Sequence, residues 1–174
     1  GVRAGRADAV RRSDTFRFLV VLAVLVGLQF SVRSHLGGDR IAPDFLLLAL
    51  LIWTIRAQPG TSAGVGFLVG LARDALTPAS FGAGALAHTL VGYLSAWSKA
   101  VFFAENLFVN GCLFFAGTWF RNLVMALASG KMKGGLLGWE LLVWSPLQSL
   151  TTAVAGVLVL WLFGRRLAIR LSDA

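Results

Sequence analysis

Four residues stand where an apolar helix would bury them, and each could do chemistry: Asp74, His88, Asn110 and Arg121. Asp74 closes the stretch Gly64–Leu76, GVGFLVGLARDAL, where it follows Arg73 directly. A cation beside an anion in such a segment reads either as an active dyad or as an anchor between helices. Helical geometry separates the two residues. Ser62, Gly66, Gly70 and Asp74 recur every four residues and share one face, whereas Arg73 points about 100° away and can snorkel to headgroups. Arg121 lies roughly on one stripe with Asn106, Asn110 and Gly117. An unpaired arginine at a membrane-helix centre costs ~2.5–3.5 kcal/mol, so Arg121 requires a partner inside the bundle. The expected partner is Asp74. His88 shares a face with Ala85, Gly92 and Ser95, which suits an interhelical hydrogen bond better than a proton relay or a ligand. The glycines Gly60, Gly64, Gly66, Gly70 and Gly92 read as small-residue positions that let helices approach closely.

These residues do not assemble into a known catalytic set. The chain has no GxSxG, HExxH or P-loop, and no helix carries paired carboxylates. No catalytic, cofactor-binding or metal-binding residue is expected. Cys112 is the only cysteine, which excludes an intramolecular disulfide and a cysteine metal site. The net charge of +8 raises the question of nucleic acid, but the basic residues lie between and beyond apolar runs, as membrane topology requires. No nucleic-acid partner is expected.

The elements that must position these side chains are helices in lipid. The chain is 57% hydrophobic and 14% charged, with mean hydropathy +0.76, far to the apolar side of a soluble domain. Only helices and closed barrels span lipid, and no alternation of period two is present. The fold class is therefore an all-α integral membrane protein, a bundle of six transmembrane helices. They are expected at about 16–32, 41–57, 60–77, 81–98, 105–129 and 145–163. A basic segment 1–15 precedes them and a basic tail 164–174 follows, and the first helix reads as an uncleaved anchor. Pro43 and Asp44 fit a first helical turn. Gln58-Pro59-Gly60 and Thr77–Ser80 read as tight turns, and Ser145–Gln148 as a capping box. Leu136–Trp144 reads as a short interfacial amphipathic helix.

Orientation follows from the lysines and arginines. With a cytoplasmic N-terminus, the inner segments hold ten (Arg3, Arg6, Arg11, Arg12, Arg17, Arg56, Lys99, Arg165, Arg166, Arg170) and the outer ones four (Arg33, Arg40, Lys131, Lys133). Both termini are therefore expected in the cytoplasm. Tryptophans agree, with Trp53, Trp97 and Trp161 near one interface and Trp139 and Trp144 near the other. Trp119 fits neither belt and is expected to pack on the bundle.

Three blocks in order carry a family resemblance: APDFLLLALLIW (Ala42–Trp53), RAQPGTSAGVGFLVGLARDAL (Arg56–Leu76) and FGAGALAHTLVGYLSA (Phe81–Ala96). Their order and spacing resemble MreD, the membrane subunit of the bacterial rod-shape elongation machinery. Arg73 departs from that pattern, where an apolar residue is commoner, and Arg121 matches no family motif. The resemblance implies a non-enzymatic subunit of the bacterial inner membrane that binds MreC. Through the complex it would meet the SEDS glycosyltransferase RodA and a class B penicillin-binding protein. It also implies a bundle similar to the substrate-binding subunits of energy-coupling-factor transporters. No cofactor follows from it. Partner contact is expected on exposed faces: Asp44 on the short second helix, the Gly60–Gly64 edge, and Trp139 and Trp144.

Two other readings stay open on the residues alone. As the substrate-binding subunit of a vitamin transporter, the chain would line a pocket with Asp74, His88, Asn110 and Arg121, few groups for such a site. As an enzyme of lipid metabolism, it would depend on Asp74 or His88.

Overall fold

The structure, a computed structural model, describes residues 16, 19–31, 41–76, 81–101, 106–130 and 135–163. Within these the chain is all-helical: α1 (Leu19–Ser31), α2 (Phe45–Thr54), α3 (Pro59–Leu76), α4 (Ala83–Val101), α5 (Leu107–Ser129), α6 (Gly135–Trp139) and α7 (Ser145–Phe163). The basic segments 1–15 and 164–174, the Thr77–Ser80 turn, and Arg33, Arg40, Lys131 and Lys133 lie outside the described residues.

Besides an apolar core, the bundle buries polar and charged side chains and leaves large apolar ones on its outside. Asp44, Asp74, His88, Asn110, Arg121, Ser149 and Thr152 are buried, while Leu68, Leu86, Trp97, Leu150 and Trp161 are exposed. On α4 the outward residues Leu86, Leu90, Tyr93, Leu94 and Trp97 fall at helical spacing on one side. An apolar solvent dictates this polarity, because polar groups must be satisfied internally. Among the described residues, two helices are long and apolar enough to cross a membrane, Leu107–Ala128 and Glu140–Phe163.

At the centre lies α2, shorter than the expected span 41–57. Its ten residues reach about 15 Å, half of a ~30 Å hydrocarbon core. All of FLLLALLIWT except Trp53 is buried, the fate of a helix that is apolar all round. Leu47, Leu48, Leu50, Leu51 and Ile52 pack with Leu25 of α1, Val91 of α4, Phe114 of α5 and Leu160 of α7. Asp44 is the N-cap rather than a residue of the first turn, and Pro43 stands outside the helix.

The closest packing joins α3 to α4. A Cβ on Gly66 would collide with the His88 carbonyl, one on Gly70 with Gly84 and Ala85, and one on Gly92 with the Ser62 carbonyl. Gly60 and Gly64 do not share in this: a Cβ on either meets nothing within 4 Å. The reading of those two as close-packing positions within the bundle is thus corrected. Gly64 stands two residues from Gly66, about 200° around the helix, and faces away from α4. Two glycines do similar work elsewhere. A Cβ on Gly156 of α7 would strike the Phe114 ring, and one on Gly117 of α5 would come 3.0 Å from Leu51.

The segment before α7 also differs from expectation. No capping box forms at Ser145. Instead α6 continues through a π-helical turn, Glu140–Trp144, directly into α7. Trp119 of α5 packs against this turn, donating its indole N–H to the Leu141 carbonyl at 3.2 Å. Trp139 is 61% exposed, and Trp144 is half-buried.

Candidate functional site

The polar centre of the molecule is Asp44, at the head of the buried helix. Its Oδ1 accepts the Leu47 N–H at 3.1 Å, an N-cap that serves one of the four N–H groups a helix leaves unpaired. A carboxylate there also meets the positive end of the α2 dipole. Its Oδ2 accepts from two guanidiniums, Arg73 Nη1 at 2.5 Å and Arg121 Nη2 at 2.6 Å. The Asp44 side chain has no exposure and that of Arg121 only 5%, while Arg73 keeps 19%. The Asp44 backbone N–H donates to Thr152 Oγ1 at 3.1 Å. One residue therefore ties α2 to α3, α5 and α7.

A second layer of hydrogen bonds closes the ring. Arg121 Nη1 donates to Asn122 Oδ1, Asn122 Nδ2 to Gln148 Oε1 at 2.9 Å, and Gln148 Nε2 to the Ala42 carbonyl at 3.4 Å. Thr151 Oγ1 donates to the Ile41 carbonyl at 2.7 Å. The last two of these bonds hold the irregular backbone at Ile41 and Ala42, and the first two tie that anchor back to Arg121.

The expected pair of Asp74 with Arg121 does not form. Asp74 faces inward and is 1% exposed, but it serves backbone. Its Oδ2 accepts the Gly82 and Ala85 N–H groups at 2.8 and 2.9 Å, and its Oδ1 that of Gly84 at 3.0 Å. It thereby caps the start of α4 from the neighbouring helix, where a negative charge complements the dipole. The turn at 81–82 that leads into α4 includes Gly82, whose φ of +94° suits glycine. Arg73, expected to snorkel outward, turns in towards Asp44. Asp44 itself, read as an exposed partner contact, is buried, because two cations and a helix N-terminus draw the carboxylate inward.

His88 is also buried without exposure. Its Nδ1 lies 2.7 Å from the Gly84 carbonyl of its own helix. That acceptor assigns the proton to Nδ1 and leaves Nε2 as a lone pair. Nε2 has no hydrogen-bond partner among the described residues, so the interhelical bond expected of His88 is replaced by one within α4. Val91, one turn after His88, packs near Gly117 of α5, and His88 itself lies within electrostatic reach of Arg121, Asp44 and Arg73. Asn110 lies apart from this group. It donates from Nδ2 to Asn106 at 3.1 Å, and Asn106 caps α5 by accepting the Phe108 N–H at 2.8 Å.

The opposite end of α2 carries a counterpart. Lys99 Nζ of α4 donates to the Thr54 carbonyl at 2.6 Å and to the Ile55 carbonyl, with Ala57 at 3.5 Å. An ammonium at the carbonyl end complements the negative pole of the dipole. The buried helix is thus held at both ends, by a carboxylate at its head and a lysine at its foot. In the sequence Lys99 bears on topology alone, although a lysine closing an apolar helix can also cap carbonyls.

This arrangement brings together charges that neutralise one another and order helices. It presents no nucleophile beside a base, and among the described residues no three His, Cys, Asp or Glu side chains could hold a metal. A family model described as rod shape-determining protein MreD matches residues 12–165. No curated protein and no solved structure matches the chain.

Proposed function

The chain belongs to the MreD family of rod shape-determining membrane proteins, and from that premise we propose that it is a non-catalytic subunit of the bacterial elongation complex. It binds an MreC-like protein, and through the complex it influences peptidoglycan synthesis by RodA and a class B penicillin-binding protein. The observation that carries this reading is the family match across residues 12–165. The family is one of shape-determining proteins and not a known enzyme family. The buried charges support a scaffolding role, because Asp44, Arg73, Arg121 and Asp74 are all engaged in ordering helices.

In this reading the chain crosses the inner membrane with six helices and both termini in the cytoplasm, α2 reaching only part of the way. Partner helices dock on faces the bundle leaves bare. The exposed side of α3 at Gly60, Gly64 and Leu68, and Trp139 before the π-turn, are assigned to that role. The vitamin-transporter reading has no support, since the polar residues that would line its pocket are divided between an ion-pair node, a helix cap and the foot of α5.

Complementation tests the proposal. In rod-shaped cells depleted of their own MreD and supplied with the cognate MreC-like partner, this chain should restore rods. Cells that stay round while the chain is present in the membrane would count against it.

A further inference from the structure

Beside Lys99, between the foot of α2 and helices α4 and α5, lies a small cavity. Leu51, Ile55, Leu113 and Phe114 supply its apolar wall, and Thr54, Ser95, Lys99 and Asn110 its polar one. Its volume is about 10 Å³, the least that admits one water molecule, which also needs 2–4 polar partners. A sugar, a nucleotide or a lipid headgroup is far larger. Most of its accessible wall is apolar, and the polar atoms a water would meet are confined to the side of Thr54, Ser95, Lys99 and Asn110.

We propose that this cavity is a water site, in which one ordered water links the Lys99 ammonium to the hydroxyls of Thr54 and Ser95. The donors and acceptors match. Two of the ammonium N–H groups are well placed on the Thr54 and Ile55 carbonyls, while the third has only the Ala57 carbonyl at 3.5 Å, the outer limit of a hydrogen bond. A water beside Nζ accepts that third proton. Thr54 already donates its hydroxyl hydrogen to the Leu51 carbonyl at 2.6 Å, so its oxygen is left to accept. Ser95 Oγ offers a second acceptor one helical turn from Lys99. Water thus completes the coordination of a lysine that the protein itself serves only in part, and the foot of α2 is hydrated while its head is held by direct ion pairs.

Two measurements test this. The first is an experimental structure at a resolution that shows ordered water. A density peak about 3 Å from Lys99 Nζ and within the same reach of Thr54 or Ser95 is expected, and an empty cavity would overturn the proposal. The second separates hydration from steric fit. Ser95→Val fills the space and expels the water, so it should lower Tm by about 2–4 °C. In a Lys99→Met background, where no ammonium needs the water, the same substitution should cost nothing or stabilise. An equal penalty in both backgrounds marks a steric effect and contradicts the water site, as does a rise in Tm in the lysine background.

Discussion

Replacing Asp44 with asparagine keeps the shape but removes the charge and turns Oδ2, the acceptor of both guanidiniums, into an amide donor. The amide oxygen can still accept the Leu47 N–H, so the cap, worth ~0.5–2 kcal/mol, is largely kept. What goes is the anion between Arg73 and Arg121. Arg121, with 5% side-chain exposure, cannot turn to water, and breaking a buried pair by removing one partner costs ~3–5 kcal/mol. Arg73 recovers part of its share, because its side chain reaches the surface. A loss of about 3 kcal/mol is therefore expected for Asp44→Asn and about 4 kcal/mol for Asp44→Ala, which also removes the cap. At ~2–4 °C per kcal/mol for a chain of this size, Asp44→Asn should lower Tm by about 6–12 °C. Thermal unfolding of the detergent-solubilised protein, followed by loss of the monodisperse peak, measures this. Adding Arg121→Gln to Asp44→Asn should recover part of the loss, since the stranded cation is gone. An Asp44→Asn variant that melts with the wild type, or a second substitution that adds its full independent cost, would refute a stabilising buried ion pair.

Other expectations follow from the same contacts. Gly70→Val should disrupt the α3–α4 interface and lower the yield of folded protein several-fold, whereas Gly64→Val, which meets open space, should leave it unchanged. Asp74→Ala strands three N–H groups at the start of α4 and should cost about 2 kcal/mol; backbone hydrogen exchange should rise at Gly82, Gly84 and Ala85 and not at the head of α2. A double-mutant cycle should find coupling of at least ~1 kcal/mol between Asp44 and Arg121 and near-additivity between Asp74 and Arg121. Lys99→Met should loosen the foot of α2, seen as faster exchange at Ile55 to Ala57, with the Asp44 end unaffected.

Much of this arrangement was legible in the residues, and the failures have physical causes. The insertion cost of Arg121 required a buried anion, and one is there. That the anion is Asp44 and not the expected Asp74 depends on how four helices meet, which the spacing within one helix does not encode. Asp44 looked peripheral because it opens a short helix, yet FLLLALLIWT is apolar on every side, and such a helix belongs in the interior with its cap. The four-residue spacing of Ser62, Gly66, Gly70 and Asp74 puts them on one face of α3, the side on which a Cβ at Gly66 or Gly70 would meet α4. Gly60 and Gly64 fall elsewhere on the wheel, and their composition alone could not tell a packed glycine from a bare one. The π-turn at Glu140–Trp144 left no signal, because a helix that continues through a wide turn keeps the same apolar composition. Lys99 was the readable clue passed over, a cation at the end of one helix that caps another.

Partner choice separates an elongation-complex subunit from a transporter subunit most directly. Purified from membranes in mild detergent with its cognate MreC-like protein co-expressed, the chain should elute with that protein as one complex. Valine at Gly64, on the bare side of α3, should weaken the complex without lowering the yield of folded chain. Recovery of the chain with a shared energising membrane subunit and two ATPases, and not with the MreC-like protein, would contradict the elongation-complex reading.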